Sequence, residues 1–249
     1  MKEERFNRWF NAFILIGMAV AVFLVTIFKL QGTQTGKWLL ILSAFGSLMG
    51  VCSSVSSANG RIITFLFGLI DVSLYGAMCF VSWNQGNSGL GNAILHFLYF
   101  VPMQFVGYAQ WKKRGASGRS EVKARRLDPR RRVLYSVVFL AGSAAAYFIL
   151  SGFDKSAAGS FIRWAVVLDV LPLMCNIVGQ LLMSTAYADQ WFFWIGVNVF
   201  SICMWTRNLV VSPDSSYALV YVIKYSFYLL NSLNGLRIWW KLSRNEASL

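Results

Sequence analysis

The chain has 249 residues, a mean hydropathy of +0.54, and 13% charged against 57% hydrophobic residues. A globular domain carries about 25% charged residues, so a soluble fold is excluded. The net charge of +13 is concentrated: Lys112 to Arg132 holds ten Lys/Arg against Glu121 and Asp128. It reads as a basic cytoplasmic loop beside anionic headgroups, not as a nucleic-acid surface.

Apolar runs of ~18 residues or more read as membrane-spanning helices, and eight such runs tile the chain. The first, Trp9–Leu30, is too long for a cleaved signal peptide and reads as a retained span. The second, Lys37–Ser57, carries the small-residue stripe Gly46, Gly50, Ser53 and Ser57, suited to close helix packing. On the third, Ile62–Trp83, Asp71 follows Thr64 and Phe67 on one face. The fourth, Asn92–Trp111, places Gln104 and Tyr108 together, and its lone His96 is expected to pack at an interface. The fifth, Val133–Ser151, is uncharged and reads as a linker helix.

The last three spans are the most informative. On the sixth, Phe161–Ala186, the residues Asp169, Asn176 and Gln180 recur at i, i+7 and i+11. On the seventh, Trp191–Val211, the residues Trp191, Trp194 and Asn198 stand at i, i+3 and i+7. On the eighth, Tyr217–Trp240, the residues Lys224, Tyr228, Asn231 and Asn234 share a face. Polar stripes of this kind either join helices or line a pathway. Asp71 and Lys224 are candidates for a buried pair, and Asp169 for solvation near an interface. Cys52, Cys79, Cys175 and Cys203 have no metal-like spacing and read as inert thiols. Zinc, nucleophile-elbow and phosphate-loop motifs are missing, so neither an enzyme nor a cofactor is expected.

With an inner N-terminus, seventeen Lys/Arg fall on the inner side and five on the outer, so both termini are expected in the cytoplasm. Spans two to four and six to eight have similar hydropathy and short inner loops. Trp111-Lys112 ends the first triple and Trp240-Lys241 the second. That alignment pairs Tyr99 with Tyr228 and, with a small loop-length difference, Phe67-x-x-x-Asp71 with Trp194-x-x-x-Asn198. One intervening span makes the triples parallel, a known transporter plan with substrate held between repeats. The expected divisions are 1–36 (extra helix), 37–111 (first triple), 112–160 (basic loop and linker helix) and 161–249 (second triple and tail).

The run Trp191-x-x-Trp194-x-x-x-Asn198 resembles the signature of the PnuC family of nicotinamide riboside transporters. Phe65-Leu66-Phe67-Gly68-Leu69-Ile70-Asp71 and Leu233-Asn234-Gly235-Leu236-Arg237-Ile238-Trp239 extend the likeness, which covers about 37–241. The resemblance implies an all-helical 3+1+3 fold similar to full-length SWEET sugar carriers, in a bacterial inner membrane, as a homotrimer. It implies uniport of nicotinamide riboside, trapped inside by phosphorylation, with Trp191, Trp194 and Asn198 as motif residues. Similar proteins can carry Asn where this chain has Asp71. The expected substrate-binding set is Trp191, Trp194, Tyr228, Asn198, Asn231, Gln180, Asn176, Lys224, Asp71, Phe67, Gln104 and Asn234. The alternative is a proton-coupled transporter of another small nucleoside-like or vitamin solute.

Overall fold

The computed structural model describes residues 2–32, 37–84, 90–118, 120–153, 164–211 and 216–247. Arg119, Lys155 and Arg163, used above to orient the chain, lie outside them. The helices are α1 (Lys2–Gly32), α2 (Lys37–Ala58), α3 (Thr64–Asn84), α4 (Leu90–Leu95), α5 (Val101–Lys113), α6 (Pro129–Phe153), α7 (Trp164–Ser184), α8 (Gln190–Val211) and α9 (Ser216–Ala247). A π turn, His96–Phe100, joins α4 to α5, and Leu95, Phe100 and Val101 all keep right-handed helical angles. The three pieces therefore make the fourth predicted span. Glu3–Phe28, Ile41–Ala58, Thr64–Val81, Pro129–Gly152 and Val166–Ser184 are long and apolar enough to cross a bilayer. The protein is an all-helical, multi-pass membrane protein.

The π turn has a cause in the sequence. Pro102 has no N–H and crowds the carbonyl four residues back. The backbone widens just before it, and the Val101 N–H reaches the His96 carbonyl instead. His96 packs as expected, its ring 4.6 Å from Tyr75 and 4.9 Å from Phe100.

The chain divides into two compact units. The first comprises Met1–Lys123 with Ser184–Ala186. Here the small-residue stripe of α2 does what its spacing predicts. A Cβ on Gly46 would touch Leu74, and one on Gly50 would lie 2.8 Å from the Asp71 carboxylate. Ser53 Oγ donates to the Thr64 carbonyl (2.9 Å), while Thr64 Oγ1 donates to the Ser53 carbonyl (2.9 Å). These reciprocal bonds hold α2 against α3 without any charge.

The second unit comprises Ala124–Met183 and Tyr187–Leu249. Helix α6 packs on α7 through Val166, Val170 and Met174, with Phe139 and Tyr147 against them. In this unit residues 124–127 of the basic loop are packed rather than solvated, whereas 128–132 are exposed. Arg125 stacks on Tyr187 at 4.1 Å, and Arg126 on Trp240 at 3.7 Å. Arg126 also donates to Ser243 Oγ (2.9 Å) and the Trp240 carbonyl (3.0 Å). Buried Asp189, just before α8, accepts from the Leu127 N–H (2.9 Å) and from Arg132 Nε (3.1 Å). A carboxylate there also favours the positive end of the helix dipole.

Two helix ends close in the same way. After α2, Gly60 (φ 65°) takes the left-handed conformation, with Gly60 N–H on the Ser57 carbonyl and Arg61 N–H on that of Ser56. After α7, Ala186 (φ 60°) does the same, and the Tyr187 N–H reaches the Leu182 carbonyl. Both are Schellman-type ends, and the next helix starts four residues later in each case. The left-handed conformation costs a residue with a side chain about 1–2 kcal/mol. Gly60→Ala should therefore lower thermal stability by roughly 1 kcal/mol. Ala186→Gly should stay within about 1 kcal/mol of the parent, because relieved strain offsets a lost buried methyl and added chain entropy. Melting curves of the purified variants check this asymmetry.

Candidate functional site

The aromatic–amide face of α8 is seated by its neighbours. Trp191 is 2% exposed, and its six-membered ring lies against Gly235 of α9. A Cβ on Gly235 would stand 2.5–2.6 Å from three ring carbons, so only glycine admits this ring. Trp239, one turn further along α9, meets it edge-on with centroids 6.4 Å apart. Trp194, one turn along α8, is only half-buried. Its ring lies over Gly179 of α7, where a Cβ would be 3.4 Å from Cδ2 and Cε2. Its indole N–H donates to Gln190 Oε1 at 3.3 Å. Buried Asn198 donates from Nδ2 to Ser232 Oγ of α9 at 3.0 Å.

These contacts gather several predicted residues. Gln180 follows Gly179 and is buried; Asn231 precedes Ser232 and is 0% exposed. The structure thus seats Trp191, Trp194 and Asn198 against Gly235, Gly179 and Ser232, while Gln180 and Asn231 are buried one residue along from two of these seats. Others are engaged locally. Asn176 Nδ2 donates to the Pro172 carbonyl at 2.9 Å, inside a turn where proline has removed a backbone donor. Asn234 Oδ1 accepts from Arg237 at 3.1 and 2.9 Å. Lys224 Nζ lies 5.6 Å from the Tyr228 ring centroid and 5.9 Å from that of Tyr225. Asp169 is exposed.

In the first unit, Asp71 rests on Gly50 and Phe67 is half-buried. Buried Gln104 donates to the Phe100 carbonyl at 3.3 Å and turns its Oε1 toward Gly68, with no hydrogen-bond partner for that oxygen among the described residues. Tyr108 is exposed, with Lys112 Nζ 6.0 Å from its ring centroid. Among the described residues, no group of three or more His, Cys, Asp or Glu side chains is placed to hold a metal.

One local arrangement occurs twice. Phe65, five residues after left-handed Gly60, packs on Gly107 and meets Trp111 edge-on at 4.8 Å. Trp191, five residues after left-handed Ala186, packs on Gly235 and meets Trp239. Each is an aromatic seated on Gly-x-x-x-Trp. This sets the correspondence one residue away from the sequence alignment: Trp111 matches Trp239 rather than Trp240, and Gly68, not Phe67, stands where Trp194 does. The slip has a physical origin, since end-alignment by hydropathy is blind to a one-residue rotation of about 100°. Gly179, Gly235 and Ser232 were missed because each acts through a partner distant in sequence; Gln190 stands four residues before Trp194, a spacing that could have found it.

Helices of membrane-spanning length that surround a half-buried indole with neutral amides, without catalytic or metal-binding groups among the described residues, have the makeup of a small-solute membrane transporter. Comparison with known proteins agrees. Residues 40–241 match the model of the nicotinamide mononucleotide transporter family, and the chain belongs to that family. It is similar to the nicotinamide riboside transporter PnuC of Neisseria mucosa, 31% identical over 99% of this chain and 87% of the relative. The protein of that name from Haemophilus influenzae is 28% identical over 97% and 95%. A crystal structure of the vitamin B3 transporter PnuC superposes with a TM-score of 0.67 and 30% identity, over 95% of this chain and 92% of that one.

The seating of Trp191 gives a direct test. Gly235→Ala should lower stability by about 1–3 kcal/mol through overpacking, read as an earlier melting transition, whereas Leu233→Ala on the exposed side of α9 should not.

Proposed function

We propose that this protein takes up nicotinamide riboside by uniport in the bacterial inner membrane, and that cytoplasmic phosphorylation traps the product. One observation carries the reading: the half-buried Trp194 indole, seated on Gly179, with buried Asn198 one turn beyond it. The substrate offers a pyridinium ring, a carboxamide and ribose hydroxyls. A cation over an indole face gains about 0.5–2 kcal/mol, and neutral amides both donate to and accept from the carboxamide and sugar. In this reading Trp194 touches the ring and Trp191 holds α8 against α9. Asn198, Asn231 and Gln180 meet the polar groups, with Tyr228 beside them. Asn176, Asn234, Lys224, Asp71, Phe67 and Gln104 complete the proposed surroundings.

The names of the family model and the relatives differ by a phosphate, and the local charge favours the riboside. A phosphate dianion is best held by clustered Arg or Lys. In the second unit Arg237 donates to Asn234, and Lys224 lies beside tyrosine rings. The doubled aromatic-on-glycine arrangement supports parallel triple-helix repeats of the SWEET kind. The seventeen-to-five charge asymmetry supports cytoplasmic termini. A homotrimer completes the proposal, checked by light scattering in detergent.

Trp194→Ala and Asn198→Ala should each weaken riboside binding about tenfold or more, the loss of roughly 1.4 kcal/mol. Calorimetry on folded protein measures this, with the mononucleotide as a weak competitor. Unchanged affinity in both variants would remove the proposed site. Accumulation in liposomes beyond equilibrium, lost when a pH gradient is collapsed, would replace uniport by proton coupling.

A further inference from the structure

Gln190 opens α8 and is fully buried. Burying a carboxamide is unfavourable unless its groups are satisfied, yet its Nε2 has no hydrogen-bond partner among the described residues. Its Oε1 accepts from the Trp194 indole N–H at 3.3 Å. An indole N–H only donates, so this contact fixes which end of the amide faces it. The two residues are four apart, hence on one face, and helical side chains lean toward the N-terminus. Trp194 accordingly tilts back onto Gln190.

The ring then has two restraints. Gly179 supports it with a flat contact, and Gln190 holds the N–H edge by a hydrogen bond in the ring plane. The first unit supplies a comparison. Where α8 has Gln190, α3 has Thr64, whose hydroxyl is bonded to Ser53; where α8 has Trp194, α3 has Gly68. The glutamine occurs in the unit that has an indole to hold.

We propose that Gln190 is a positioning residue that holds the Trp194 indole at one tilt over Gly179, so that the accessible part of the ring meets the pyridinium of the substrate. The inference rests on the reading of Trp194 as the ring-binding residue. Gln190→Leu removes the acceptor at similar size, and Gln190→Met repeats the change with a more adaptable chain.

The first readout needs no substrate. In protein labelled with 5-fluorotryptophan, the Trp194 fluorine resonance, assigned by its disappearance in Trp194→Phe, should shift or split in both glutamine variants. The second readout is a double-mutant cycle for riboside affinity. Gln190→Leu should weaken binding about tenfold in the parent and less than twofold in the Trp194→Phe background. An unmoved fluorine resonance in both folded variants, or equal losses in the two backgrounds, would overturn the proposal. Wild-type affinity in Trp194→Ala would overturn the ring-binding reading instead, and that result does not involve Gln190.

Discussion

Much of the second unit depends on one close approach, the Trp191 ring lying on bare backbone at Gly235. It brings α8 and α9 near enough for the neutral bond between Asn198 and Ser232, seven residues or about 10 Å further along α8. Apolar side chains gain little by meeting one another where lipid is equally apolar. Shape and neutral hydrogen bonds must then select the helix pairing, and a tryptophan on a glycine offers the largest flat contact per residue. The first unit repeats the device with Phe65 on Gly107, and adds the reciprocal bonds of Ser53 and Thr64.

The two units use the same frame for different contents. In the first, Gly68 faces Ser53 and the Gln104 amide; in the second, Trp194 faces Gly179. Where the second unit has the Trp194 ring, the first has Gly68 with the Gln104 amide against it, so one unit offers an indole and the other an amide.

What the sequence revealed follows from which interactions are local along the chain. The helices, the small-residue stripe of α2 and the shared face of Trp191, Trp194 and Asn198 depend on hydropathy and helical period. All three are legible within twenty residues. The seats of the two indoles, Gly179 and Gly235, were illegible, since nothing near a glycine says which ring will lie on it. The π turn was marked by Pro102, ten residues into the fourth span, but a proline there is equally compatible with a kink or a helix break. The partners of the basic loop were illegible too: its charge is plain in the sequence, but not that Arg125, Arg126 and Arg132 engage Tyr187, Trp240, Ser243 and Asp189.

That loop also bears on how the protein is made. Arg126 is synthesised 114 residues before Trp240 and 117 before Ser243, both of which it binds. While the ribosome is still producing α7 and α8, the guanidinium has neither partner. The second unit therefore gains its full set of contacts only when the end of α9 leaves the ribosome. Until then Arg126 carries a charge that neither of these two partners engages.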